Sequence, residues 1–193
     1  MLLAAYYLLL VMKIGIDISQ IVHEGTGVGE YVRHLVKALL TIDQANEYVL
    51  FGASLRKLSS IKAYFEEVRL LNSRIRLVAV PVPPTFLEFL WNTLHIVSVE
   101  WFVGRVDVFW SSDWIQPPLG TAKGVTTIHD VSFLRFPETF AKTIGDVQRR
   151  RLGWVARESK VILCDSEATK KDVDELLRIP KEKLLVVYPG FTS

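Results

Sequence analysis

A histidine followed by an aspartate, His129-Asp130, stands directly after the short apolar run Val125–Ile128. Near neutral pH an imidazole there can shuttle a proton or hydrogen-bond a ligand. Asp130 could orient the ring or bind a hydroxyl; a plain capping aspartate beside a packed histidine is the other reading. A second cluster, Gly25-Thr26-Gly27-Val28-Gly29, joins an apolar run to an amphipathic stretch. Glycines at such a place let backbone N–H groups approach an anion closely, and a helix N-terminus adds a favourable dipole. A phosphate or diphosphate is the natural guest, although a tight turn needing positive φ would use the same residues. The spacing fails as a dinucleotide fingerprint. Glu30 stands where a third glycine belongs, and Phe51-Gly52 supplies no acidic partner for a ribose. No Gly-Lys-Ser/Thr follows, so a P-loop is also excluded.

Other chemistry-bearing types are sparser. Asp17, Ser19, Ser111, Ser112, Asp113 and Asp165-Ser166 each follow an apolar run. No Ser sits in a Gly-x-Ser-x-Gly elbow. His23, His34, His95 and His129 are too far apart for a zinc site, so no metal is expected. Arg149, Arg150, Arg151 and Arg157 lie on one helical stretch and read as a solvated face, or else as a patch for phosphate or anionic lipid. Trp91, His95, Trp101 and Phe102 read as core or an interdomain surface, with a membrane-facing patch as the alternative. Cys164 reads as an inert core residue, and Asp165-Ser166 as the cap of a following helix.

The elements that must position these residues alternate between two periods. Strands are expected at Lys13–Ile18, Glu47–Phe51, Arg74–Val80, Val106–Trp110, Val125–Ile128, Val161–Cys164 and Leu184–Val187. Helices are expected at Gly29–Leu40, Leu55–Glu67, Thr85–Val103, Thr139–Ser159 and Glu167–Leu177, the third being long and very apolar. Strands that alternate with helices imply right-handed crossovers and a parallel sheet covered on both faces. The expected fold class is therefore α/β, a doubly wound parallel sheet. In such a sheet ligands bind outside the carboxyl ends of the strands, where the residues above are found.

Composition bounds the function. The chain has 193 residues, half of them apolar, which suits one domain with a substantial core. Its 23 Lys+Arg against 21 Asp+Glu leave a formal charge of +2, too little to suggest a nucleic-acid partner. One cysteine excludes an internal disulfide framework and suits a reducing compartment. Residues 1–12 form an apolar N-terminal extension ahead of a Rossmann-like unit at 13–190. The run from Met1 to Val11 is shorter than the ~20 residues that span a bilayer and lacks a cleavage signal. It reads as a dispensable tail or a strand-like extension, with a peripheral membrane anchor as the alternative.

The segments KIGIDIS, EGTGVGEYVRHLVKALL, DVFWSSDWIQPPL, GVTTIHDVSFLRFPETF and VILCDSEATKKDV…IPKEKLLVVYPGF occur in an order that resembles the retaining glycosyltransferases of family 4. These are the group-1 glycosyltransferases of GT-B fold, and the resemblance runs from Met12 onward. It is nearest to bacterial and archaeal mannosyltransferase-like members. It implies the N-terminal, acceptor-side half of a GT-B enzyme. Such an enzyme moves a sugar, here mannose, from a nucleotide-sugar donor to a glycan or lipid-linked acceptor with retention. The resemblance places Gly27, Val28 and Gly29 at the donor diphosphate, and His129 with Asp130 beside the reacting sugar. It places Ser111, Ser112, Asp113 and Trp114, with the stretch Phe133–Glu138, at the acceptor. It implies no cofactor beyond the nucleotide sugar, and a cytoplasmic setting at the inner face of a membrane. A donor-binding second domain, with its Lys/Arg pair and Glu-x7-Glu element, is absent from this sequence, so the isolated chain is expected to be inactive. A non-catalytic sugar- or phosphate-binding module, or one subunit of a split transferase, is the alternative. An oxidoreductase is disfavoured by the broken glycine spacing.

Overall fold

The computed structural model describes residues 11–190, and there the short apolar runs become seven parallel strands. They are β1 Lys13–Asp17, β2 Glu47–Ala53, β3 Ile75–Val80, β4 Val108–Ser111, β5 Lys123–Ile128, β6 Ser159–Cys164 and β7 Leu184–Val186. Their order in the sheet is β3-β2-β1-β4-β5-β6-β7. Helices α1 Gly27–Ile42, α2 Leu58–Val68, α3 Pro84–Glu88, α4 Glu100–Val103, α5 Ser132–Arg135, α6 Lys142–Glu158 and α7 Glu167–Leu177 cover the sheet. This is the expected Rossmann-like α/β fold, with the reversal of strand order falling between β1 and β4. The apolar run from Met1 lies outside the described residues, except for Val11.

Two-sided burial explains why the strands were readable. β2 is buried at six successive positions, Tyr48 to Ala53, because α1 and α2 cover one face and α3 and α4 the other. Each large apolar side chain so buried contributes about 1.5–3 kcal/mol. On α1, Val32, Val36 and Leu40 recur at intervals of four and pack into that first layer. Thr26 starts the helix: its hydroxyl accepts the Gly29 N–H at 3.2 Å.

The long helix expected over Thr85–Val103 is interrupted. α3 runs into a π-helical turn at Phe89–Leu94, and the chain then breaks at His95 and Val97 before α4. Both residues have left-handed backbone, with φ of 53° and 62°. The cause is visible in Trp91. Its ring is fully buried, and a buried indole N–H needs an acceptor. Doubling the chain back supplies one, the Val97 carbonyl at 2.9 Å. A straight helix would leave that N–H unpaired, at a cost of about 1–3 kcal/mol. No described helix is long and apolar enough to cross a membrane.

Candidate functional site

The carboxyl edge of the sheet gathers most of the expected residues. His129 follows β5 and is only partly buried. Its Nδ1 lies 2.6 Å from Asp165 Oδ2, at the end of β6. An ionised carboxylate can only accept, so Nδ1 carries the proton and donates it. Nε2 then presents a lone pair. It makes no hydrogen bond among the described residues and is not a buried orphan, so it opens to solvent. The backbone is held as well: the Thr169 hydroxyl donates to the His129 carbonyl at 3.1 Å. On its other side the ring meets Tyr31 of α1 edge-on, with centroids 4.8 Å apart. The Tyr31 hydroxyl reaches Thr127 at 3.4 Å, and Thr127 also accepts the Trp110 indole N–H at 3.1 Å.

Asp130 does not orient the histidine. Its Oδ1 accepts the Ser132 N–H at 2.8 Å and so tethers the start of α5, which is the plainer of its two sequence readings. The orienting role falls to Asp165, which the sequence suggested only as a helix cap. Ser166 alone takes that capping role, accepting the Thr169 N–H at 3.0 Å.

The glycine turn lies one helical turn from Tyr31 and hence close to His129. Gly25 has φ of +75°, which only glycine adopts without strain. Gly29 is needed for a different reason. A Cβ there would sit 2.7 Å from the His23 carbonyl oxygen, because the helix start is pressed onto the preceding turn. Its N–H is spent on Thr26, which removes it from the three expected phosphate donors. The N–H groups of Gly27 and Val28 have no partner among the described residues. A Cβ at Gly27 would meet nothing within 4 Å, so the approach to those two donors is open.

The expected acceptor loop divides in two. Ser111 and Ser112 are buried, and their hydroxyls turn inward. Ser111 donates to Gln116 Oε1 at 2.7 Å and Ser112 to Asp17 Oδ2 at 2.8 Å. They shape the loop rather than offer it to a ligand. Asp113 holds α6 through its carbonyl, which accepts from Gln148 at 3.0 Å. Trp114 does face a cavity of about 380 Å³, lined also by Ser19, Gln20, His23, Leu87 and Ile115. Phe133 is buried in the core, whereas Glu138 is exposed.

Beneath this edge lies a polar network that the sequence did not announce. Asp17 is 1 % exposed and accepts the Ser19 N–H at 2.9 Å in addition to the Ser112 hydroxyl. Burial pushes its carboxyl up from the usual range, and the bonds from Ser19 and Ser112 offset that only in part. The Ser112 carbonyl in turn accepts from Arg151 at 3.1 Å, and Arg151 also reaches Thr126 Oγ1 at 2.8 Å and the Thr127 carbonyl at 3.1 Å. Arg151 is 2 % exposed, so the expected solvated arginine face loses its third member to the core. Burial lowers its pKa to about 10. The network ties β1, β4, β5 and α6 together directly under the candidate site.

Among the described residues, no group of three or more His, Cys, Asp or Glu is gathered as a metal site requires. The sequence holds one Asp-x-Asp spacing, Asp172-Val173-Asp174. Both carboxylates are engaged on α7, Asp172 with Arg135 and Asp174 with Lys181 at 3.3 Å. Cys164 is buried, and burial raises its thiol to about 11, which suits an inert core residue.

No curated protein matches the chain. The family model described as Glycosyltransferase Family 4 matches residues 25–192, a span that holds the glycine turn, Trp114, His129 and Asp165. With that span covering most of its length, the chain belongs to Glycosyltransferase Family 4.

Proposed function

We propose that the chain is the acceptor-side, N-terminal half of a GT-B glycosyltransferase. It would help transfer a sugar, mannose on the subgroup resemblance, from a nucleotide-sugar donor to a glycan or lipid-linked acceptor with retention. The observation that carries this reading is the Asp165-held His129. Its open Nε2 shares one sheet edge with the unpartnered N–H groups of Gly27 and Val28.

In this reading the Gly27 and Val28 amides meet the donor diphosphate at the start of α1, where the helix dipole favours negative charge. His129 Nε2 accepts a hydrogen bond from a hydroxyl of the donor sugar and so fixes the anomeric carbon against the acceptor. The acceptor lies in the cavity beside Trp114, His23 and Ser19. Its hydroxyl oxygen bonds to the anomeric carbon on the face from which the diphosphate leaves. The bond from that carbon to the phosphate oxygen breaks, and the acceptor proton passes to that oxygen. No strong protein base is then required. A facing second domain supplies further charge stabilisation for the leaving group, which is usually the largest catalytic contribution.

The test is His129→Ala in the full-length protein, assayed against a panel of nucleotide sugars with product anomers assigned by NMR. Turnover should fall by more than donor affinity does. Equal losses in both would reduce His129 to a binding residue. Donor binding without transfer, under all acceptors tried, would favour a non-catalytic sugar-phosphate module instead.

A further inference from the structure

The cavity beside Trp114 encloses about 380 Å³, the size of a small-ligand site. Its floor is apolar and fixed. Ala53, Leu87 and Ile115 line it, and all three are buried in the layer that α3 and α4 build on the sheet. Pro84 adds an apolar edge at the start of α3. Trp114 forms a wall whose backbone is pinned. The buried Asn92 donates to the Trp114 carbonyl at 3.0 Å, and its Oδ1 accepts the Gln116 N–H at 2.9 Å.

The polar groups on the lining are few. The Ser19 hydroxyl is already spent, on the Ala53 N–H at 3.0 Å and on the Asp17 carboxyl. The side-chain amide of Gln20, which is half-buried, has no hydrogen-bond partner among the described residues, and neither has the Trp114 indole N–H. The His23 imidazole completes the set and is exposed. No Lys, Arg, Asp or Glu lines the cavity. An ionised carboxylate or phosphate taken into it would give up its hydration with no cation on the lining to replace it. A pyranose ring has a face of C–H bonds that suits an indole, hydroxyls that suit a free amide, and in some sugars a methyl group that suits an apolar floor.

We propose that the acceptor group held in this cavity is an uncharged sugar with a methyl-bearing substituent, an acetamido group or a 6-deoxy carbon. The methyl packs on Leu87 and Ile115, the sugar ring lies against Trp114, and the Gln20 amide bonds a polar group of the sugar. Trp114 and Gln20 are thus the specificity-determining residues of the acceptor side. The proposal rests on the sugar-transfer reading, whose acceptor class it narrows.

The test titrates the full-length protein with the methyl glycosides of glucose, N-acetylglucosamine, 6-deoxyglucose and glucuronic acid, read by saturation-transfer NMR. The same four are offered as acceptors in a transfer assay. One of the two methyl-bearing sugars should bind about tenfold more tightly than the glucoside, with its methyl signal the most strongly saturated. Which of the two does so identifies the substituent. The glucuronide should bind most weakly. Trp114→Ala should erase the preference. Gln20→Arg supplies the missing cation and should raise affinity for the glucuronide by about tenfold; being a gain, it cannot come from misfolding. Equal binding of all four glycosides overturns the proposal, as does binding of none, or a glucuronide that gains nothing from Gln20→Arg. Transfer to the glucoside or glucuronide as readily as to the methyl-bearing sugars overturns it too, and leaves the sugar-transfer reading standing. The expected order of binding with no transfer from any nucleotide sugar supports the cavity's specificity and removes that reading.

Discussion

His129 and Asp165 lie 36 residues apart in the chain and 2.6 Å apart in the fold. The pairing is set by the register of β5 against β6, which places Ile128 opposite Cys164 and so brings the next residue of each strand together. A sheet register thereby fixes the tautomer of an imidazole.

Asp165→Asn should therefore weaken His129 in its role without removing it. Loss of a charge-assisted hydrogen bond is worth about 2 kcal/mol, or about thirtyfold in turnover. Asp130→Ala removes only the tether of α5 and should cost about 1 kcal/mol of stability, with little change in turnover. Steady-state kinetics of the two variants, read beside their unfolding curves, check the assignment; equal kinetic losses would reject it.

The two glycines of the turn should separate cleanly. Gly29→Ala puts a Cβ 2.7 Å from a backbone oxygen and should cost about 1–3 kcal/mol. For a chain of this size that is about 2–4 °C in Tm per kcal/mol. Gly27→Ala meets open space and should leave the stability within about 0.5 kcal/mol of the wild type, yet weaken donor binding by crowding its amide. Unchanged donor affinity in a stable Gly27→Ala protein would show that the glycines serve the turn alone.

The three consecutive arginines should behave unequally. Arg149 and Arg150 make exposed ion pairs with Asp146 and Glu88, so alanine at either costs at most about 1 kcal/mol. Arg151→Leu leaves the Ser112 and Thr127 carbonyls short of a donor, at about 1–3 kcal/mol each. Lysine should rescue little, since one ammonium cannot reproduce the guanidinium fork. Urea midpoints of the four variants test the contrast.

Asp17 predicts a pH dependence. Its folded carboxyl titrates above the ordinary value of 3.8, so the folded chain holds the proton more tightly than the unfolded chain. Its contribution to stability therefore falls as pH rises through that window and stays reduced above it. Asp17→Asn removes the titration while keeping an acceptor for the Ser19 N–H. The stability of the variant relative to wild type should climb between acid and neutral pH, measured as the shift in urea midpoint. A flat or falling difference would contradict the assignment.

The sheet was legible because parallel strands buried on two faces must be apolar throughout, as Val49, Leu50 and Phe51 show. Strand ends moved by one or two residues; β5 begins at Lys123 because its edge residue pairs without being buried. The site was legible in part. His129 and the glycine turn were found from their place after strands, but Asp130 drew attention as the nearer carboxylate while Asp165 held the ring. Arg151 carries the signature of a surface residue, and only its tertiary partners reveal otherwise. The break at His95 and Val97 left no glycine or proline as a marker. It arises from the need of one buried indole, which periodicity does not report.

The join between β1 and β4 has a consequence for how the protein is made. The sheet has an early half, β1 to β3, and a late half, β4 to β7, and β1 pairs with β4 at Ile14, Gly15 and Ile16. The Ser112 hydroxyl reaches Asp17 across a sequence separation of 95, on opposite sides of that join. Contacts so distant are slow to form, because the intervening chain must be ordered first. The candidate site draws on both halves, with Tyr31 of the early half against His129 of the late half, so its residues come together only once the late half has packed against the early one.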